Sequence, residues 1–252
     1  MNLGSRRVVV TRAAHQAEAW VSAFRSAGAE VVRWPLLEVK PEEATVLDPL
    51  VRQGASFGVW IFTSTNTVDA LGPFLAEVPV PARVAAVGPS TAQALKEYGW
   101  EPQQVATKGR VEGLLEELES VLRPGSRCFL PQAEDARPEL AQGLRRMGMA
   151  VQTAVVYRKR LPPAASGAVE ELFGRAPLGW VTFSSPRIVR HFVEVLGPDW
   201  PARRSELRAL SIGPVTSEAL RGVGVDRVEE ARTPEASAMV EAMAEAIHRA
   251  SQ

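Results

Sequence analysis

The chain has 252 residues, 46% of them hydrophobic and 23% charged, enough to bury one large core or two ordinary ones. Its 29 basic and 29 acidic residues cancel, so no long-range field draws it to nucleic acid or to a membrane surface, and any anion must be held by local contacts. A single cysteine leaves no disulfide framework and no thiolate metal site, no apolar run approaches the roughly 20 residues of a spanning helix, and nothing at the N-terminus resembles a secretion signal, so a cytoplasmic protein is expected.

Strand-length apolar runs alternate with helical patterns along the sequence. A strand is expected in RRVVVTR (6–12), a helix in AEAWVSAFRSAG (17–28), and an extended, β-rich stretch in VVRWPLLEVKP (31–41). FGVWIFTS (57–64) precedes a helix in TVDALGPFLAEV (67–78), and RVAAVG (83–88) precedes one in TAQALKEYG (91–99). The charge-rich GLLEELESVLRPG (113–125) suits a helix with a solvated face. The order then returns. SRCFLPQ (126–132), with Cys128 as a buried strand thiol, leads to PELAQGLRRMG (138–148) and the β-rich VQTAVVYRKRLPP (151–163). GWVTFSS (179–185) leads to RIVRHFVEVLG (187–197), and LRALSIG (207–213) leads to TSEALRGVG (216–224).

This is α/β alternation with strands apolar throughout, as a parallel sheet covered on both faces requires. Val10 to Gly28 matches Leu130 to Gly148, Phe62-Thr63-Ser64 matches Phe183-Ser184-Ser185, and Gly88-Pro89 matches Gly213-Pro214, each pair about 120 to 125 residues apart by residue number. Two related halves follow. Gly28, Gly99, Gly148 and Gly224 each stand where a helix-ending glycine belongs. The residues allow two partitions: consecutive halves meeting near Pro124-Gly125, or an interleaved arrangement in which the stretches around 31–41 and 151–163 pair as a ladder between two domains.

In VGPST and IGPVT a glycine ends the strand, proline takes the first helical position, and threonine follows in the first turn. Glycine supplies no capping oxygen, so first-turn N–H groups and the positive end of the helix are left for a carboxylate or phosphate at the C-terminal edge of the sheet. FTSTNT and FSSPR add hydroxyls at that edge, although Ser185 before Pro186 is also a good N-cap and first-turn threonines are common. His15, His191 and His248 have no metal-like spacing and suit surface or interface positions. No phosphate-binding loop and no nucleophile elbow is present, so no metal, nucleotide or covalent-nucleophile chemistry is expected.

VVVTR, IFTSTNTVDAL, AVGPSTAQAL, VVYR, VTFSSPRIV and SIGPVTSEAL, in this order and spacing, resemble the uroporphyrinogen III synthase family across nearly the whole chain. The resemblance implies two similar doubly wound, flavodoxin-like α/β lobes joined by a two-stranded β connector, with a cleft between them. It selects the interleaved partition: residues 1–37 with 162–252 as one domain and 38–161 inserted as the other, with 36–41 and 154–160 as connectors. It implies a cofactor-free, monomeric lyase that closes hydroxymethylbilane, a linear tetrapyrrole with eight carboxylates, with inversion of ring D. Carried over by position, Tyr157 is the candidate acid for loss of the terminal hydroxyl. The carboxylates would be held by Arg12, Thr63, Ser64, Gly88, Thr91, Ser184, Ser185, Gly213 and Thr216. Gln132 and Val215 depart from residues seen in relatives, an arginine and a threonine, and Arg137 is placed to supply the missing charge. A non-catalytic two-lobed anion-binding or regulatory protein on this scaffold is the alternative; no helix-turn-helix extension accompanies it.

Overall fold

The computed structural model describes residues 2–106, 111–174 and 177–250. In chain order the elements are β1 (Arg7–Val10), α1 (Glu18–Ser26), β2 (Glu30–Arg33), β3 (Glu38–Pro41), α2 (Ala44–Gly54), β4 (Val59–Phe62), α3 (Thr65–Leu75), β5 (Arg83–Ala86) and α4 (Pro89–Glu97). They continue as β6 (Gln104–Val105), α5 (Val111–Val121), β7 (Arg127–Ala133), α6 (Glu139–Arg146), β8 (Ala150–Arg160), α7 (Ala164–Gly167), α8 (Val169–Leu172), β9 (Gly179–Phe183) and α9 (Pro186–Leu196). The chain closes with α10 (Trp200–Arg203), β10 (Leu207–Ser211), α11 (Pro214–Gly222), β11 (Val228–Glu230) and α12 (Ala236–Ala250).

Two compact units result: residues 1–38 with 160–252, and residues 39–159. The first holds a sheet of order β11-β10-β9-β1-β2, the second a sheet of order β3-β8-β7-β4-β5-β6. Apart from the edge strand β3, neighbouring strands pair in parallel. β4, β5, β6, β7 and β8 thus hold the same places in one sheet as β9, β10, β11, β1 and β2 in the other. The chain passes between the units within β3 and at the end of β8, and those two strands are neighbours.

Each sheet is buried on both faces, because successive side chains of a strand point to opposite sides. Val8 and Val10 join Trp20, Phe24 and Met239 in one apolar cluster, while Val9 faces Phe183, Phe192 and Leu196 in another. In the second unit Trp60 and Phe62 pack with Trp100 and Phe129, and Val59 and Ile61 turn to Leu114, Cys128 and Leu144. The helices end as their sequence suggests: Gly28, Gly99, Gly148 and Gly224 have φ of 80°, 79°, 81° and 84°, the left-handed conformation a side chain resists.

Cys128 is fully buried among these residues, and burial pushes its thiol pKa from the usual 9.0 up to about 11. At pH 8 only about one molecule in a thousand would then carry the thiolate, so a disulfide reagent should find no thiol in the folded protein and one in denaturant. The folded state holds this proton more tightly than the unfolded state, so the contribution to stability is intact below about pH 9 and is lost as the pH rises toward 11. Urea midpoints of the wild type and Cys128→Ala should converge over that interval. A constant gap would contradict the raised value.

Candidate functional site

In each unit the strand order reverses once: between β9 and β1 in the first, between β4 and β7 in the second. A doubly wound sheet binds ligands beyond the carboxyl ends of its strands at such a point. In the first unit Arg12 follows β1, and Ser184 and Ser185 follow β9. In the second, Thr63 and Ser64 follow β4. Gly88 and Thr91 start α4 after β5, and Gly213 and Thr216 stand at the same place after β10. All the candidate polar residues of a unit therefore lie on one edge of its own sheet.

Arg12 is partly buried, and desolvation lowers its guanidinium pKa. It lies over the Trp20 ring, 5.1 Å from the centroid, and meets the side-chain oxygen of Gln16 at 3.5 Å. Among the described residues it has no carboxylate partner. The strand that carries it is stapled to β9: the Thr11 hydroxyl donates to the Thr182 carbonyl, and the Thr11 N–H donates to Thr182 Oγ1 at 3.3 Å. Both threonines are fully buried.

The hydroxyls divide by duty. Ser64 caps α3 by accepting from the Asn66 N–H at 3.2 Å, and Ser185 caps α9 by accepting from Ile188 N–H at 3.3 Å. Each keeps its O–H and a second lone pair. Thr63 and Ser184 are half-buried. Thr91 and Thr216 are 6% and 3% exposed, yet neither hydroxyl is among the buried polar atoms without a partner, which among the described residues are Thr67 Oγ1 and Gln104 Oε1.

No side chain caps α4 or α11, but the two corners differ. At the first, the Ala92 N–H reaches Gly88 O, and among the described residues the N–H groups of Ser90 and Thr91 have no partner. At the second, the Ser211 hydroxyl accepts from Gly213 N–H at 3.2 Å, and both Thr216 and Ser217 N–H groups turn to Gly213 O. Among the described residues only the Val215 N–H is left there, beside a Val215 side chain that is 63% exposed. Gly88 and Gly213 have φ of −163° and 165°, extended values open to any residue, and a Cβ at either would meet nothing within 4 Å. Neither backbone conformation nor packing within the chain calls for glycine at these positions.

Tyr157 lies near the C-terminal end of β8, opposite Ala133 and just past a register shift at Gln132/Ala133. Its ring is 3% exposed and belongs to the second unit's apolar cluster, with Lys159 Nζ 5.8 Å from its centroid. Around it Arg158 pairs with Glu42 and Glu134, and Lys159 with Asp135 at 3.8 Å. These partly exposed pairs hold β8 to the start of α2 and to the loop after β7, at about 0–1 kcal/mol each.

No sequence pattern signals the Thr11–Thr182 staple or the bond from the buried Ser217 to Glu230 Oε2 at 2.6 Å. Among the described residues no three His, Cys, Asp or Glu side chains are grouped to hold a metal ion, and no helix is long and apolar enough to cross a membrane. A cavity of about 480 Å³ lined by Trp180, Arg208, Asp226, Arg227 and Val228 lies at the opposite, N-terminal edge of the first sheet and involves none of these residues.

A parallel α/β protein of two similar units, each presenting hydroxyls and uncapped helix starts at one sheet edge, is the class that fold and site define. The family model described as uroporphyrinogen-III synthase HemD matches residues 18–241, and the chain belongs to that family. It is 31% identical over 223 residues to the uroporphyrinogen-III synthase of Synechococcus elongatus, covering 84% of each chain. It is 24% identical to that of Chlorobaculum parvum, over 87% of this chain and 90% of the other. The fold matches that of uroporphyrinogen-III synthetase from Helicobacter pylori with a TM-score of 0.63 at 21% identity, covering 96% and 99% of the two chains. Uroporphyrinogen III synthase from Thermus thermophilus gives 0.61 at 23%, covering 97% and 99%.

Proposed function

We propose that this chain is a uroporphyrinogen-III synthase: it closes hydroxymethylbilane to uroporphyrinogen III and releases one water. The terminal hydroxyl takes a proton and leaves, the resulting azafulvene cation is attacked by the substituted carbon of ring D, and the spiro intermediate opens and recloses with that ring inverted, returning a proton. Left alone, the substrate closes without inversion. The protein's main work is therefore geometric, a matter of holding a flexible chain in the fold that favours the spiro route.

The observation that carries this reading is the pair of helix starts at Gly88 and Gly213, which no side chain caps and above which the space is open. Close approach of a carboxylate to the backbone explains a missing Cβ there. Arg12, Thr63 and Ser184 supply further donors, so that a chain of zero net charge binds a polyanion by many local contacts. Tyr157 is the one candidate acid. A second reading, a binding protein without turnover, draws on the burial of its ring.

Incubation with hydroxymethylbilane and separation of the product isomers decides between the two. The synthase reading requires isomer III. Binding without turnover, with isomer I accumulating at the uncatalysed rate, would establish the alternative. Gly88→Ala and Gly213→Ala should each raise KM roughly tenfold, the weight of a charge-assisted hydrogen bond, with unfolding midpoints unchanged. Unaltered KM in both would remove the corners from the binding site.

A further inference from the structure

Between β2 and β3 the chain runs Trp34-Pro35-Leu36-Leu37, and four hydrogen bonds tie this stretch to the first unit. The Trp34 N–H donates to Val10 O at 2.9 Å, Trp34 Nε1 to Ala165 O at 3.1 Å, and the Leu36 N–H to Thr11 O at 2.9 Å. The fourth joins Leu36 O to His191 Nδ1 at 2.6 Å. A carbonyl can only accept, so the Nδ1 of His191 carries the proton in this bond. The Leu36 side chain is fully buried, and β3 begins two residues later, with the division between the units falling at Glu38 and Val39.

His191 stands on α9, the helix that Ser185 caps, and the residue it grips is bonded through its own N–H to Thr11, the neighbour of Arg12. One imidazole thus links the helix of one candidate binding residue, the strand end of another, and the segment through which the chain leaves the first unit. We propose that His191 is a positioning residue: it fixes the direction in which the connector departs, so that bound substrate does not have to order it. This rests on the synthase reading. Without the bond the Leu36–Leu37 peptide loses one of its restraints, and the ordering it then needs is drawn from substrate binding, which appears in KM before kcat.

The test compares His191→Ala, His191→Asn and His191→Gln. An asparagine amide nitrogen reaches the position of Nδ1, whereas a glutamine nitrogen reaches that of Nε2. In the free protein, His191→Ala should speed amide exchange at Leu36, whose N–H is bonded to Thr11 O, roughly 5- to 10-fold, raise KM for hydroxymethylbilane by a similar factor, and leave kcat within about twofold. His191→Asn should restore both and His191→Gln neither, a contrast that remains measurable if the alanine variant folds poorly. Unchanged exchange in His191→Ala, faster exchange without a rise in KM, or rescue by Gln as good as by Asn would each overturn the proposal. A wild type that converts no hydroxymethylbilane defeats the synthase reading and with it the kinetic arm, whereas unchanged exchange in an active enzyme defeats the anchor alone.

Discussion

Trp60→Ala should cost the second unit about 3–5 kcal/mol, the range for truncating a large buried aromatic residue. Trp60 is fully buried, 5.1 Å from Trp100 and 4.6 Å from Phe129 between ring centroids, and its Nε1 donates to Gly54 O at 2.9 Å. The indole lies so close to Gly54 that a Cβ there would come within 2.5 Å of it, so α2 is seated directly on the ring. Truncation leaves a void that the backbone cannot close and removes one of the two hydrogen bonds to Gly54 O, which still accepts from the Phe57 N–H at 2.8 Å. Amide exchange along Val59–Phe62 and Arg83–Ala86 should accelerate about 10²- to 10³-fold, while exchange along β1 and β9 should change little. A loss below about 1 kcal/mol would show that the cluster repacks. Equal acceleration in both sheets would show that the two units unfold together.

The strong elements were plain in the sequence because burial on both faces leaves runs such as VVV and VWIF that nothing else explains. The edges were not. β6 is Gln104–Val105 and β11 is Val228–Glu230, too short and too polar to stand out, and they are strands only because β5 and β10 offer them partners. α2 has no counterpart among the expected elements; Pro49 lies inside it as Pro73 lies inside α3, and its buried side chains Leu47 and Val51 pack against the second unit's core. The partition into units was open to the residues alone, because β1 pairs with β9 across more than half the chain and no local signal encodes that pairing.

The site shows the same division between local and distant causes. Ser64 and Ser185 stand just before their helices and act as N-caps, a short-range relation that sequence expresses directly. Arg12 over Trp20, Thr11 on Thr182 and His191 on Leu36 depend on tertiary contact, the last two across 171 and 155 residues. The repeat suggested equal corners, yet Ser211 makes them unequal by taking the Gly213 N–H. A serine two residues before a glycine is a readable turn signal, and comparison of Ser211 with Ala86 at the matching place in the first corner would have found it.

Tyr157→Phe should slow turnover by up to roughly 10²-fold if the phenol delivers the proton on which the hydroxyl departs. The substitution removes one oxygen from a ring that is 3% exposed and packed in the apolar cluster, so the unfolding midpoint should move little. The backbone at this position is fixed independently of the hydroxyl, by pairing with Ala133 and by the bond from the Glu134 N–H to Tyr157 O at 3.1 Å. Product identity gives the sharper reading. If the corner residues set the substrate's fold, what the variant still converts should be isomer III, and isomer I should rise only from substrate that closes in solution. Slow turnover with isomer III retained assigns the proton to Tyr157. Unchanged kcat would make it a packing residue of β8 and leave positioning as the whole of the mechanism. Slow turnover with isomer I formed on the enzyme would instead make the ring part of what shapes the substrate.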